Sequence, residues 1–436
     1  MRKILVFSGV FLLLGCAAFA QNVDLEALSG VQFNFGNPGA RSLAMGGAFL
    51  GLADDASAAE ANPAGLTILR KPEVSVETRN FRTSRNFVTG GTLLSPTDPI
   101  RNDEFHSYSR RAELGFASIS YPMPEKHFAL AAYFSHPVAF TSVVVPRDPI
   151  NFSATPTGPV IPSQCSTTAD CLSFRLFPFG SAVNLDLKTI GLAGAVKLGK
   201  FSLGAAARYQ KLSEAALTQR VNFLFQPLAT SAQTSDDSDI TFSAGVKWEL
   251  SNKFSAGAVY KQGAKFKTDY GVANFTAPDT SFKVLAHPVF HIPDIAGVGI
   301  SFRPVSALVI NADADYVKYS NLVDNFFSAF DDINSNPTFK AENVIETRVG
   351  AEYFFTSRVP VALRAGYYRD PAHQFFYNGP FSTPNRVADS IIYQKGKDQN
   401  HYSVGLGIAF TAFQLDAAYD TSDAFKVGSL SAVFKF

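Results

Sequence analysis

The sequence predicts an all-β protein: a transmembrane antiparallel β-barrel of about 14 strands, with an N-terminal plug inside its lumen. Three observations carry this. Apolar and polar residues alternate in about fourteen successive segments. Every second connection between those segments is short. Beyond residue 20, no run approaches the ~20 apolar residues that a spanning helix requires. Side chains alternate across a strand, so such segments are greasy on one face and wet on the other. A soluble sheet can be written this way too. Recurrence with alternately short and long connections is how a closed membrane barrel is written, with lipid outside and a polar interior.

Ala307–Tyr319 shows the pattern most clearly. Leu308, Ile310, Ala312, Ala314 and Tyr316 share one parity, and Asn311, Asp313 and Asp315 the other. Composition agrees. Of 436 residues, 41 are Phe and 15 Tyr while only 17% are charged, which suits contact with hydrocarbon and aromatic girdles at its edges. The net charge of +1 gives no reason to expect a nucleic-acid partner.

Taken in order, residues 1–20 are expected to be a signal peptide. Arg2 and Lys3 precede the apolar Ile4–Leu14, and Ala18-Phe19-Ala20 offers a small-x-small cleavage site before Gln21. The rival is a lipoprotein signal, Leu13-Leu14-Gly15-Cys16, lipidated on Cys16, for which Leu14 is bulky. Residues 21–70 do not alternate and are rich in Gly and Ala, as befits a compact plug. In that stretch Asp54 is placed to cap a helix near 55–61 that Pro63 would stop. The glycines there are not a phosphate loop, since no Gly-Lys-Ser/Thr follows.

Residues 71–436 are read as the barrel. Its strands fall near 72–82, 112–122, 126–137, 183–197, 201–213, 239–250, 253–267, 291–303, 306–319, 344–356, 359–370, 401–411, 413–421 and 426–436. Tight links include 122–125, 198–200, 251–252 and 304–305, whereas 83–111, 138–182, 214–238, 268–290, 320–343 and 371–400 are long. The even count puts both termini on the short-turn, periplasmic side. Alternation holds strand by strand, as in Ile240, Phe242, Ala244, Val246 and Trp248 opposite Lys247 and Glu249. A charge on the lipid face near the midplane costs ~2–4 kcal/mol, so the charges belong inside.

Cys165 and Cys171 stand six positions apart in a Pro/Ser/Thr-rich loop of an exported chain and are expected to form a disulfide. Closing that small ring stabilises by roughly 2–3 kcal/mol on the chain-entropy estimate. A metal site is not expected there, because two thiols without a nearby His are too few ligands.

Three consecutive strands carry Asp313, Asp315, Glu346, Arg348, Glu352 and Arg364 on the lumen parity. Paired across the ladder, they make a salt-bridge network that stiffens the wall. The alternative is that Arg348 or Arg364 holds a ligand carboxylate by two parallel hydrogen bonds. The long loops hold Phe140 with Val143–Val145, Phe174–Phe179, Val221–Leu228, Phe326-Phe327 and Phe375–Tyr377. Exposed apolar patches mark binding or membrane contact, which makes Phe177, Phe179, Phe223 and Phe225 candidate ligand contacts. The other reading packs these residues against one another as a cap.

Gly46-Gly47-Ala48, Asp54-Asp55-Ala56-Ser57 and Asn62-Pro63-Ala64-Gly65-Leu66 resemble the plug of FadL-type outer-membrane transporters, with its Asn-Pro-Ala-Gly motif. Ile292-Pro293-Asp294 before Gly297 and Gly299 is similar to that family's Leu-Pro-Asp strand opening, and Asp315–Ser320, Arg348–Tyr353 and Arg364–Tyr367 to its later strands. The resemblance runs from about Ala40 to Phe436 without the loops. It implies a fourteen-stranded barrel with a hatch, uptake of long-chain fatty acids or other hydrophobic compounds, and sideways release into the membrane. It makes Asn62, Pro63, Ala64 and Gly65 the moving contact of hatch with wall; the bland reading is a helix stop in a packed plug. The family's ligand-binding positions fall where the match fails, so substrate identity does not carry over.

No catalytic constellation stands out: the seven His are scattered, and Gly-x-Ser-x-Gly and His-Glu-x-x-His are both missing. The expected function is therefore not that of an enzyme, and no cofactor or metal is implied. It is passive import of hydrophobic small molecules such as long-chain fatty acids or hydrocarbons across the outer membrane. The expected partners are that ligand and outer-membrane lipid, with the protein a monomer. The alternative is a non-transporting scaffold, as in the attachment-shuttle proteins of type IX secretion. An open porin is disfavoured by the plug.

Overall fold

The computed structural model describes residues 33–90, 102–144, 151–155, 158–160, 172–175, 179–221, 226–275, 278–323, 339–355, 359–379 and 393–436. Among these the chain closes an antiparallel barrel of fourteen strands. They are β1 (Glu73–Gly90), β2 (Asn102–Met123), β3 (Phe128–Val144), β4 (Phe179–Leu198), β5 (Phe201–Val221), β6 (Pro227–Glu249) and β7 (Phe254–Lys261), then β8 (Ile295–Val305), β9 (Leu308–Val317), β10 (Val344–Phe355), β11 (Val361–Asp370), β12 (Gln399–Ala409), β13 (Phe413–Thr421) and β14 (Phe425–Lys435). Each pairs with its neighbours in sequence, and β14 closes the ring on β1 from Glu73↔Lys435 to Thr83↔Phe425.

The expected strands are present, and the differences lie at their long-loop ends. β6 begins at Pro227 rather than near 239, and β1 and β2 run on to Gly90 and Asn102. No regular apolar–polar alternation in the sequence marks those extensions; the ladder continues there because a partner strand is present. Conversely, β7 stops at Lys261, and Lys265–Lys267 pairs instead with Val289–His291. A side hairpin, Asp269–Asn274 with Lys283–Ala286, extends the sheet from β6.

The faces sort as the alternation requires. Trp248 is 41% exposed and Phe434 49%, whereas Asn311, Asp313 and Asp315 are buried. Aromatics gather at the short-turn end, with Phe201 stacked on Trp248 at 5.3 Å and Phe254 on Phe302 at 4.4 Å. Exposed Tyr209, Tyr260, Tyr316, Tyr402 and Tyr419 form a second ring. The rings stand six to eight residues apart along a strand, or roughly 15–20 Å once tilt is included.

Residues 36–70 fill the short-turn side of the lumen, with Phe33 and Phe35 reaching above them. They form α1 (Ala40–Ala44), α2 (Ala58–Ala61) and a 3-10 helix (Pro63–Ile68), nearly all buried. The expected helix cap is a correction. α2 starts at Ala58 with no side-chain cap, and Asp54 is turned to Arg41 (2.6 Å). Asp55 accepts from the Ser57 N–H (2.9 Å), an Asx turn that uses up the carboxylate before the helix begins. Pro63 stops α2 and opens the 3-10 helix, whose free N–H at Ala64 is met by the Asn62 side chain (3.2 Å).

Wall glycines receive this plug. Gly204, Gly245, Gly257, Gly299, Gly350, Gly366 and Gly405, one on each of seven strands, face its backbone or small side chains. A Cβ at Gly245 would lie 2.1 Å from Asn62 Oδ1, and one at Gly350 2.2 Å from the Met45 carbonyl, so no other residue fits without moving the plug.

Candidate functional site

The hatch is held by the wall's own polar groups. Asn62 Nδ2 donates to the carbonyls of Leu50 and Val246 (both 3.2 Å), tying the 3-10 helix to β6. Lys247, fully buried on β6, donates to the carbonyls of Gly51 (2.6 Å) and Leu52. Asp313 Oδ2 on β9 accepts from the N–H groups of Phe49 (2.6 Å) and Leu50 (2.8 Å). Gly39 and Ala56 donate to Glu77 (2.8 Å) and Glu73 (3.1 Å) of β1. Arg41 of α1 grips Glu352 of β10 with two hydrogen bonds (2.8 and 2.7 Å) and also meets Asp54 and Asp55. Burial opposes its charge, yet Asp54, Glu352 and Asp55 together hold its pKa well above the ordinary guanidinium value.

This alters the expected wall network. Arg348 pairs with Asp315 (3.0 Å) and Glu346, and Arg364 with Glu352 (2.6 Å) and Asp416 (2.7 Å). Asp313, directly across the ladder from Arg348, serves plug backbone instead. The expected charges are indeed inward and partnered, but the plug supplies part of the partners. Both arginines that were candidates for a ligand carboxylate are thus engaged by protein carboxylates. Asn62–Gly65 lie where the hatch touches β5 and β6. Phe177, Phe223, Phe225 and the Cys165–Cys171 pair lie outside the described residues, as does the signal segment; Phe179 opens β4, in register with Arg220.

Above the plug the lumen turns apolar. Phe33, Phe140, Leu185, Phe266, Phe290, Tyr319 and Phe375 form one buried cluster, with Phe35 packed against it. Tyr319 stacks on His373 at 3.9 Å and donates to the Phe33 carbonyl (3.2 Å). Of the apolar loop residues, Phe140 and Phe375 turn into this cluster, and Tyr377 packs on Phe339 and Tyr393. These three follow the cap reading; Val143 is 61% exposed.

Between plug and cluster lies a cavity of about 40 Å³, room for a few waters and not for a ligand. Phe35, Leu187 and Ile292 give it an apolar roof; Glu60, Arg208 and Lys261 line its polar side. Arg208 (3.4 Å) and Lys261 (3.3 Å) share one oxygen of Glu60, and Arg208 Nε is buried without a partner. Burial pushes the Glu60 carboxyl up, but the two cations outweigh it and hold it below its ordinary value. Two positive groups to one negative leave surplus positive charge.

The cavity also reaches Gly115, Ser135, His136 and Pro137, where the wall is parted. β2 and β3 pair only from Met123↔Phe128 up to Phe116↔Ser135, although both strands continue beyond. The sequence explains the parting. Gly115 is bulged out of the β1–β2 ladder and His136-Pro137 out of the β3–β4 ladder, and Pro137 has no N–H to donate. Two bulges on facing strands splay them. Ile190, level with Tyr209 in the second aromatic ring, lies one residue below the pair Ser135↔Thr189, so the seam opens at the rim of that ring.

Arg111, Glu113, His136 and Asp186 cross the seam. Glu113 Oε2 is met by Arg111 Nε (3.2 Å) and His136 Nδ1 (3.1 Å); Asp186 Oδ1 is met by Arg111 Nη2 (2.6 Å) and His136 Nε2 (2.9 Å). Sequence reasoning missed this quartet, as it missed Arg208 and Lys261. Pro137 inside an expected strand was the one available sign, because a proline marks an edge or a bulge.

The family model for outer membrane protein transport proteins (OMPP1/FadL/TodX) matches residues 171–428. Among solved structures the chain is similar to a Pseudomonas aeruginosa FadL homologue (17% identity, TM-score 0.61, covering 94% of this chain and 99% of that one). It is also similar to the P. putida toluene transporter TodX (13%, 0.58, 92% and 99%) and the Ralstonia pickettii toluene transporter TbuX (14%, 0.55, 92% and 99%). At these identities the likeness is one of fold. A search of curated proteins gives no match. With more than half of its length matched by that family model, the chain belongs to the OMPP1/FadL/TodX family of outer-membrane transport proteins.

Proposed function

We propose that this protein imports hydrophobic small molecules across the outer membrane, taking them into the apolar upper lumen and releasing them sideways through the β2–β3 seam. The observation that carries this is the juxtaposition of seam and cavity: the wall is parted where the lumen changes from apolar roof to polar floor. A ligand tail needs dry walls and its head group one or two donors. Arg208 and Lys261, with a single carboxylate between them, suit an anionic head, which favours long-chain fatty acids over neutral hydrocarbons. In this reading Arg348 and Arg364 fix the wall and plug rather than the ligand. The cavity is too small for such a ligand, so uptake requires Phe33–Phe35 and the hatch around Asn62–Gly65 to move. The long loops face outward and both termini the periplasm, and one monomer suffices.

The test is uptake into proteoliposomes of pure protein. Saturable uptake of a sixteen-carbon fatty acid is expected, weakened about tenfold or more in Arg208→Ala/Lys261→Ala, with toluene uptake unchanged in that variant. No saturable uptake of fatty acids, alkanes or aromatics would overturn the proposal and leave the scaffold reading.

A further inference from the structure

We propose that Arg111, Glu113, His136 and Asp186 form a proton-operated latch across the β2–β3 seam, closed while the quartet holds one extra proton and released when that proton is lost. The inference rests on the lateral-exit reading above, and proton counting carries it. Both ring nitrogens of His136 face carboxylate oxygens, at 3.1 and 2.9 Å. A neutral imidazole has one N–H and one lone pair, and a carboxylate only accepts. One of the two contacts would then set lone pair against lone pair. The geometry is satisfied when one further proton is present, on the imidazole or on Glu113. With His136 charged, cations and anions alternate around a square of two carboxylate oxygens, and net charge is zero. Loss of the proton to water leaves the quartet at −1 with one contact repulsive.

Position makes the quartet a latch. Arg111 and Glu113 alternate with the more exposed Arg110, Ala112 and Leu114, so they point into the lumen from β2. Asp186 shares its parity with Ile190 and Leu192, which face outward from β4. Side chains of opposite faces therefore meet through the gap, with His136 on the bulge between them, and no backbone pairing of β2 with β3 does the same work at this level among the described residues. The other charged groups around His136 are Lys188 on β4 and, lining the same cavity, Arg79, Arg208, Lys261 and Glu60; burial first and then Lys188 oppose the extra proton, so the quartet's own carboxylates must hold it. His, Glu and Asp at this spacing are also metal-ligand types. Here Arg111 already bridges the two oxygens that a metal would take, so the carboxylates are matched by two cations without one.

The experiment reads the proton and the seam separately from transport. Full-length protein with Cys16, Cys165 and Cys171 replaced by Ser, ¹⁵N-labelled at histidine, is titrated from pH 5 to pH 9, with His136→Phe used to assign the resonance. The same background, spin-labelled through Arg110→Cys and Val143→Cys, gives the width of the seam by pulsed electron resonance. The expected result is a proton lost from the quartet as pH rises, with the seam widening over the same interval. Its open-to-closed ratio should rise about tenfold or more, the scale of one charge-assisted hydrogen bond. Glu113→Gln should hold the seam closed at every pH, since its amide can turn NH2 to the Nδ1 lone pair and oxygen to Arg111 while Nε2–H serves Asp186. His136→Phe should leave it wide throughout. A singly protonated His136 beside an ionised Glu113 across the whole range, or a seam that widens in Glu113→Gln, would overturn the latch whatever uptake does. A seam that moves with pH while fatty-acid uptake does not would leave the latch standing and overturn the lateral exit instead.

Discussion

Arg41→Leu tests whether the plug is held by charge or merely by shape. Arg41 Nη2 (2.7 Å) is the donor to Glu352 Oε1, and Arg41 Nε (2.8 Å) shares Oε2 with Arg364 Nε (2.6 Å). The Glu352 side chain is fully buried and that of Arg41 is 10% exposed, so water screens this pair little. Removing Arg41 leaves one buried carboxylate oxygen without its donor, while Arg364 still pairs with the other. Breaking a buried pair costs about 3–5 kcal/mol, and the remaining arginine argues for the low end. At 1.4 kcal/mol per decade, about 3 kcal/mol shifts the ratio of displaced to seated plug on the order of a hundredfold. Planar-bilayer conductance reads this directly: the wild type should be nearly silent, and Arg41→Leu should show frequent openings. Arg41→Leu/Glu352→Leu should be quieter than Arg41→Leu alone, because Asp54 and Asp55 lose Arg41 alike in both variants, whereas the double variant also removes the Glu352 carboxylate and leaves Arg364 matched by Asp416. Equal conductance in wild type and Arg41→Leu, or a double variant leakier than the single, would refute the reasoning.

Two further outcomes follow from the same geometry. Gly245→Val places its Cβ about where Asn62 Oδ1 now sits, so it should displace the 3-10 helix; overpacking of this kind costs about 1–3 kcal/mol, seen as a lower temperature for the heat-induced shift of the barrel on a denaturing gel. Glu60 gives a pH dependence. Its pKa is depressed on folding, so its stabilisation is fully present above the ordinary carboxylate value of about 4.3 and is lost as pH falls through the lower, folded value. Bilayer conductance of the wild type should therefore rise below about pH 4, and that rise should be absent in Glu60→Gln, which has nothing to protonate.

What the sequence determined by itself is what a two-residue period can encode. Which side chain of each strand faces lipid, as at Ile310 against Asn311, is a local matter, and so are the tight turns that set the order of pairing. The family motif likewise placed Asn62–Gly65 in the hatch, since it is contiguous in the chain. What tertiary structure alone decided is which distant groups meet. Asp313 and Arg348 face each other across the ladder, yet Asp313 serves the plug backbone, because two unpaired N–H groups of residues 49 and 50 arrive there. Arg208 and Lys261 become a cationic pair only when Glu60 is inserted between them. The long-loop ends of the strands were illegible because their residues carry no regular apolar–polar alternation, and only the partner strand extends the ladder there. The seam was illegible for the opposite reason. Gly115 is ordinary in its own strand and Pro137 marks at most a local bulge, and only the registers of three ladders, β1–β2, β2–β3 and β3–β4, set one bulge against the other.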